Sequence, residues 1–358
     1  MSLVVTPIGD NPTRMWGLTA RRRLERIAAR MGARLGEGGE IQVNLAYAFD
    51  PAWLRLIAAR PGAVVTKDGV SVLANGVDAR AAMEGKGALP ADAEIIAQET
   101  FGDIVNDELR KREQPFMERL TPDSVAGLEE TSYRASYKGV TDLLTKYLWP
   151  RWAFHLTRLA ARIGLSPNMV TSIGAVLCAV ATACFWFGHY WAGMASGLVF
   201  MVLDTVDGKL ARCTITSSKW GEAFDHGIDL VHPLIWWYAW GVGLESYGRP
   251  LDPPTFWTVM IALAAGYIVQ RLIEGAFIAS FGMHIHVWRK VDSDFRLITA
   301  RRNPNMVILF MATLAMRPDI GLVAVAVWTV LSCLFHLVRL AQAYALRWRG
   351  GAVRSWLE

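Results

Sequence analysis

From residue 165 onward the chain alternates apolar runs with short polar links. Apolar segments can be drawn at about 169–188, 191–211, 222–245, 255–281, 304–317 and 320–344. A helix that crosses a bilayer needs ~20 mostly apolar residues. The pattern predicts six transmembrane helices, the fifth short and the second and third interrupted by acids. Just ahead, KGVTDLLTKYLWPRWAFHLTRLAARIGL repeats apolar residues near helical spacing: Leu143, Leu144, Tyr147, Leu148, Trp152, Leu156, Leu159 and Ile163. Pro150 breaks this stripe, and Trp and Arg border it. Such a segment is expected to lie along the membrane surface as an amphipathic helix. A plain linker helix packed on the preceding domain is the alternative.

Residues 1–135 follow a different rhythm, that of a small α/β domain. SLVVTPI and IQVNLAYAF are predicted strands, and AVVTKDGVSVLA a hairpin turning at Asp68-Gly69. LTARRRLERIAARMGARL is a predicted helix with Leu24, Ile27, Ala28, Met31 and Leu35 on one face, and PAWLRLIAAR a shorter one. The polar stretch 85–135 is expected to be helical. The triple Arg21-Arg22-Arg23 could hold a phosphate, but a solvated helix face explains it as well. The division expected is 1–135 cytosolic α/β domain, 136–165 amphipathic juxtamembrane helix, 166–346 membrane domain and 347–358 cytosolic tail.

Charge sharpens this division. The chain of 358 residues is 53% hydrophobic with 15 Trp and a mean hydropathy of +0.26. Residues 1–135 carry 17 Lys and Arg against 19 Asp and Glu, leaving 20 against 13 for the remainder. The basic connections are PRWAFHLTRLAARIG, KLARCTITSSK and WRKVDSDFRLITARRN, and the tail LRWRGGAVR is basic as well. GHYWAG, SYGRPLDPPT and MRPDIG carry little positive charge. By the positive-inside rule, this alternation puts both termini in the cytoplasm, in a bacterial-type inner membrane. No nucleic-acid partner is expected. MSLVVTPIGDNPTR lacks the pattern of a cleavable signal peptide. Cys178, Cys184, Cys213 and Cys333 have no metal or disulfide spacing and read as small apolar residues.

Against this apolar background stand Asp204, Asp207, Asp225 and Asp229. The first two are spaced i,i+3 at the end of span two, the others i,i+4 at the start of span three, so each pair shares a helix face. Ionisable groups at membrane depth are costly and usually functional. Hard divalent cations relieve their repulsion, and Mg²⁺ prefers carboxylate and water ligands alongside a substrate phosphate. Gly208 would let backbone approach a ligand closely. Arg212 and Lys219 are placed to meet phosphate oxygens, Arg with the better fork. Intramembrane salt bridges or an ion pathway are the competing explanation.

The stretch reads Asp204-x2-Asp207-Gly208-x2-Ala211-Arg212-x8-Gly221-x3-Asp225-x3-Asp229. Every fixed position and gap resembles the signature of the CDP-alcohol phosphotransferase family, and Pro167-Asn168-Met169-Val170-Thr171 resembles its opening to the first span. The resemblance covers about 140–345 and implies six membrane helices behind an amphipathic one. It further implies that the four aspartates hold two divalent cations, Mg²⁺ or Mn²⁺, with Asp229 also the base for the acceptor hydroxyl. Gly208, Ala211, Arg212 and Gly221, with Asn168 and Thr171 nearby, would bind the CDP moiety. The implied reaction moves a phosphoalcohol from a CDP-alcohol, here CDP-diacylglycerol, to a hydroxyl acceptor and releases CMP. A homodimer is implied too.

The acceptor is less defined. Arg271 in span four and Arg301 and Arg302 ahead of span five are candidates for an acidic acceptor such as a polyol phosphate. A positive-inside loop with an Arg271–Glu274 pair on one helix face explains them equally. His284-x-His286 lacks further metal ligands and reads as an interfacial loop. Thr13-Arg14-Met15-x-x-Leu18-Thr19 resembles the nucleotide-binding loop of sugar-phosphate nucleotidyltransferases, but IGDNP stands where glycines would let phosphates approach. The N-terminal domain is therefore expected to be a truncated, inactive relative. A CDP-inositol-dependent inositol phosphodiester synthase is the alternative within this chemistry. A transporter or non-catalytic adaptor is the alternative outside it.

Overall fold

The computed structural model describes residues 3–358. The N-terminal domain begins with β1 (Val4–Ile8), a short hairpin of β2 (Arg14–Met15) and β3 (Leu18–Thr19), α1 (Ala20–Arg30) and β4 (Arg34–Leu35). It continues through β5 (Ile41–Asn44), β6 (Tyr47–Phe49), α2 (Pro51–Ala58), β7 (Ala63–Lys67), β8 (Val70–Asn75) and α3 (Arg80–Met83). Then come β9 (Glu94–Ala97), β10 (Ile104–Asn106), β11 (Lys111–Glu113), β12 (Met117–Arg119) and α4 (Val125–Ala135). The main sheet has the order β4-β1-β5-β8-β7-β9.

The predicted strand at 2–8 is present as β1, its first residue lying outside the described residues. Asp68 and Gly69 both have positive φ, +48° and +74°, as a tight hairpin turn between right-twisted strands requires. Helix α1 buries Leu24, Ile27 and Ala28, as its spacing predicts, but ends at Arg30. The single strand expected at 41–49 divides into β5 and β6. The expectation of helix over 85–135 is wrong for most of its length. β9 pairs with β7, β12 with β6, and β10 with β11, leaving α4 as the main helix there.

A π-helical turn at Leu144–Leu148 leads into α5 (Trp149–Arg162), and Pro150 sits in its first turn, where a missing N–H costs nothing. The apolar stripe is uncovered by the rest of the protein: Tyr147, Leu148, Trp152, Leu159 and Ile163 are exposed. The opposite face, Trp149, Ala153, Thr157 and Ala160, is buried.

The C-terminal part contains α6 (Pro167–Trp186), α7 (Tyr190–Cys213), α8 (Lys219–Tyr247), α9 (Pro253–Phe281), α10 (Lys290–Arg296), α11 (Arg302–Leu314) and α12 (Pro318–Trp348). Three of these, α6, α9 and α12, are long and apolar enough to cross a membrane by length and composition. The acids break the apolar character of α7 and α8. The 13 residues of α11 rise about 20 Å, short of the ~30 Å hydrocarbon core. Six crossings are thus a stronger statement than length and composition support. Ser166, Ser218 and Asp252 cap α6, α8 and α9 by accepting a backbone N–H from the first turn.

The N-terminal domain and the bundle share one apolar core. Trp16, Leu24 and Ile27 pack in the same cluster as Ala153 and Ala160 of α5 and Val206, Leu210 and Cys213 of α7. Arg23 and Arg26 donate to the carbonyls of Cys213 (3.2 Å) and Thr214 (2.7 Å). Both cations thereby sit at the C-terminal, electronegative end of α7. Arg21 and Arg22 are solvated as expected, but Arg23 is buried in this joint.

Candidate active site

Helices α7 and α8 run in sequence, joined by the loop at 214–218, which brings the end of one beside the start of the other. Carboxylate oxygens of Asp204, Asp225 and Asp229 lie within 4.8 Å of one another. Asp207 is buried and turned aside: its Oδ2 accepts from Thr171 Oγ1 at 2.5 Å. The spacing places all four acids at one end of the helix pair, and the geometry groups three of them.

The small residues of the signature are accounted for by close approach. A Cβ placed on Gly221 would lie 2.8 Å from Asn168 Oδ1, so glycine lets the start of α6 meet the start of α8. A Cβ on Gly208 would lie 3.1 Å from an Arg212 Nη, so glycine leaves room for that guanidinium one turn on. Arg212 Nε is buried without a hydrogen-bond partner among the described residues, and a buried donor left so calls for an explanation. Ala211 lies beside it in the last turn of α7, and Thr216 N donates to its carbonyl. Lys219 opens α8 and is exposed.

Arg302 enters the acid cluster rather than joining Arg271 and Arg301. Its Nη2 donates to Asp204 at 2.5 Å and its Nη1 to Asp229 at 2.7 Å, with Phe200 under the guanidinium at 5.1 Å. The neighbouring Asn303 fixes its position by donating to Asp142 Oδ1 at 2.9 Å, which ties α11 to the juxtamembrane segment. Arg271 pairs with Glu274 at 3.3 Å, the pair on one helix face weighed from the sequence. Arg301 bonds the other oxygen of Glu274, and His286 reaches the same oxygen at 3.4 Å. His286 therefore belongs to a buried polar cluster, while His284 is half-buried in the preceding loop.

Some charged residues near the site carried no signal beyond being basic. Lys209, inside the signature, is buried, donates to the Ser136 carbonyl at 3.0 Å and stacks on Tyr137. Burial, followed by the charges of Arg110 and Arg212, pushes the Lys138 ammonium down to about 8. Burial and then Arg301 push Arg296 down to about 9.

An apolar groove of about 940 Å³ runs between α6 and α8. Cys178, Thr182 and Trp186 line it from α6, and Gly227, Ile228 and Val231 from α8, directly beside Asp225 and Asp229.

The profile of the CDP-alcohol phosphatidyltransferase family matches residues 165–353, just over half of the chain. The chain belongs to this family. Relatives of this CDP-alcohol phosphatidyltransferase chain include cholinephosphotransferase 1 of Gallus gallus, 33% identical over 127 residues, with 32% of this chain and 36% of that protein covered. Phosphatidylinositol phosphate synthase of Mycobacteroides abscessus is 31% identical over 115 residues, covering 30% of this chain and 52% of that one. The chain thus spans about a third to a half of the length of these curated relatives. Among solved structures, phosphatidylinositol phosphate synthase of Mycobacterium tuberculosis with CDP-DAG bound aligns at 20% identity and a TM-score of 0.42, over 53% of this chain and 94% of that one. The same synthase in complex with manganese and citrate aligns at 19% identity and a TM-score of 0.42, over 53% and 88%. The N-terminal domain and α5 precede the matched segment.

Proposed function

We propose that this protein transfers a phosphatidyl group from CDP-diacylglycerol to the hydroxyl of a polyol or polyol phosphate and releases CMP. The observation that carries this reading is the adjacency of the acid cluster to the apolar groove between α6 and α8. The acids suit the diphosphate of a CDP-alcohol, and a groove of that size suits an acyl chain. A water-soluble donor would leave the groove without a role.

The donor set fits hard divalent cations: grouped carboxylates, with no sulfur or imidazole among the oxygens brought together. Asp204, Asp225 and Asp229, with Asp207 behind them, would hold two of these, Mg²⁺ or Mn²⁺. When bound, such cations offset the charge that develops on the departing CMP. Arg212 offers its fork to the diphosphate, in the space left by Gly208. The Asp229 side chain is 42% exposed and that of Asp204 17%, so Asp229 is the carboxylate an incoming hydroxyl can reach. It takes the hydroxyl proton as the acceptor oxygen bonds to the phosphorus beside diacylglycerol. The bond from that phosphorus to the bridging oxygen breaks, and CMP leaves with the electron pair.

The bundle would cross the membrane six times with both termini in the cytoplasm, and the enzyme would act as a homodimer in an inner membrane. The N-terminal domain would serve as a mounted, non-catalytic module. Its candidate nucleotide loop is the β2–β3 hairpin, whose Trp16 is buried and donates to Ser132 Oγ at 2.8 Å.

Purified protein with Mg²⁺ or Mn²⁺ should release CMP from CDP-diacylglycerol when inositol, inositol phosphate or glycerol 3-phosphate is supplied. Release from CDP-inositol but not from CDP-diacylglycerol would overturn the lipid donor. No release with any pairing would overturn phosphotransfer itself.

A further inference from the structure

Several buried guanidinium atoms remain without partners on the side of the acid cluster facing the N-terminal domain. Arg296 Nε and Nη1, Arg110 Nε, Arg271 Nε and Arg301 Nε are all buried and unbonded among the described residues. Leaving such donors unsatisfied is costly, and each calls for an explanation. Arg296 is influenced by Arg301, Asp142, Glu274 and Arg110. Arg110 is influenced by Arg301 and Glu274, and Lys138 by Arg110, Arg212, Asp225 and Arg296. Four guanidiniums thus face the carboxylates of Glu274 and Asp142, with Lys138 between this group and the signature residues Arg212 and Asp225. An anion-binding function explains the excess better than packing does, since charges kept only for packing would be paired.

Two of these cations come from outside the family-matched segment 165–353. Arg110 stands at the tip of the β10–β11 hairpin with φ +50°, a conformation unusual for a side chain of its size. The hairpin is clamped: Gly139 N donates to the Leu109 carbonyl at 2.8 Å, and Lys111 Nζ to the Ala135 carbonyl at 2.6 Å. A Cβ on Gly139 would lie 2.7 Å from the Arg110 carbonyl oxygen, so only glycine allows this approach. Lys138, the residue before it, is thereby held beside Arg110. The same segment reaches the far wall, where Leu143 N donates to the Leu297 carbonyl at 2.9 Å, next to Arg296.

We propose that the N-terminal domain and the segment that follows it supply part of the acceptor site: Arg110 and Lys138 join Arg296 and Arg301 to bind the phosphate monoester of a phosphorylated polyol. This rests on the transferase reading above, which leaves open whether the acceptor carries a phosphate. The dianion satisfies the orphaned donors and holds the polyol so that a hydroxyl faces Asp229.

The test uses the full-length protein with Arg110→Gln, Lys138→Gln and the charge-keeping Arg110→Lys. Thermal shift would be read with glycerol 3-phosphate and inositol 1-phosphate, and with free glycerol and inositol as uncharged controls. CMP release would give separate KM values for acceptor and CDP-diacylglycerol. The phosphorylated polyols should stabilise the wild type, with the free polyols inert. Each Gln variant should weaken phosphopolyol binding and raise the acceptor KM about tenfold or more, leaving the donor KM unmoved. Arg110→Lys should restore part of the binding, which loss of fold would not permit. Wild-type binding and KM in both Gln variants would overturn the proposal. So would equal binding of free polyols, or a donor KM that rises in step and assigns the cluster to the donor's diphosphate. Phosphopolyol binding that depends on Arg110 but comes with no CMP release from any donor would support the anion site and count against the transferase reading.

Discussion

Arg302→Met isolates the electrostatics of the acid cluster. Arg302 bridges Asp204 and Asp229, and both its own side chain and that of Asp204 are largely buried. Met keeps much of the apolar stem over Phe200 while removing the charge. Two carboxylates within 4.8 Å of each other repel by at least about 3 kcal/mol at an effective dielectric of ~20, the repulsion that Arg302 offsets. The Asp204 bridge is worth breaking at a cost of about 3 kcal/mol, since it strands a buried charge. The exposed Asp229 bridge adds no more than about 1 kcal/mol. The two broken bridges together give about 3–4 kcal/mol, or a fall in Tm of roughly 6–15 °C for a domain of this size. Intrinsic tryptophan fluorescence of the detergent-purified protein would follow the melt in EDTA and in saturating Mn²⁺. A divalent cation addresses the same carboxylates as the guanidinium, so it should shrink the variant's deficit by at least half. An equal deficit in EDTA and Mn²⁺ would refute the claim that these acids form a cation site.

Other outcomes follow from the same geometry. Gly243→Ala would place a Cβ 1.8 Å from the Phe185 carbonyl oxygen and should cost on the order of 3 kcal/mol as α6 and α8 part, whereas Gly275→Ala, with open space around it, should melt like the wild type. Trp16→Ala removes a buried indole and its bond to Ser132, so about 3–5 kcal/mol of docking should be lost; limited proteolysis should then cut within 136–165, where the wild type resists. Lys138 is pushed down to about 8 among Arg110, Arg212, Asp225 and Arg296, so its charge fades as pH rises through that value. A phosphate monoester is already fully ionised there, so the KM for a phosphorylated acceptor should rise above pH 8 and Lys138→Arg should flatten the profile.

The acid site was legible because its geometry is local. Spacings of i,i+3 and i,i+4 on two helices joined by a short loop leave little freedom, and fixed glycines mark where helices meet. The orientation of Asp207 toward Thr171 was not legible, since it depends on the packing of α6 against α7. The exposed apolar stripe along α5 could be read from its period, with Trp152, Leu156, Leu159 and Ile163 all uncovered. Residues 94–119 misled because EIIA, IVN, KRE and MER are too short and polar to show alternation. Partners distant in sequence, β7 for β9 and β6 for β12, hold two of them as strands. Arg23 and Arg110 were hidden for a similar reason. Each looks like a solvated charge until the N-terminal domain is seated on the bundle.

The central claim is that Asp229 activates an acceptor hydroxyl for attack on a CDP-alcohol held at the acid cluster. It is tested most directly by CMP release from CDP-diacylglycerol with wild type and Asp229→Asn side by side, with CDP binding measured on both. Turnover by Asp229→Asn should fall at least about a hundredfold, the contribution typical of a general base, while most CDP binding survives. A variant that releases CMP at a near-normal rate would contradict the account.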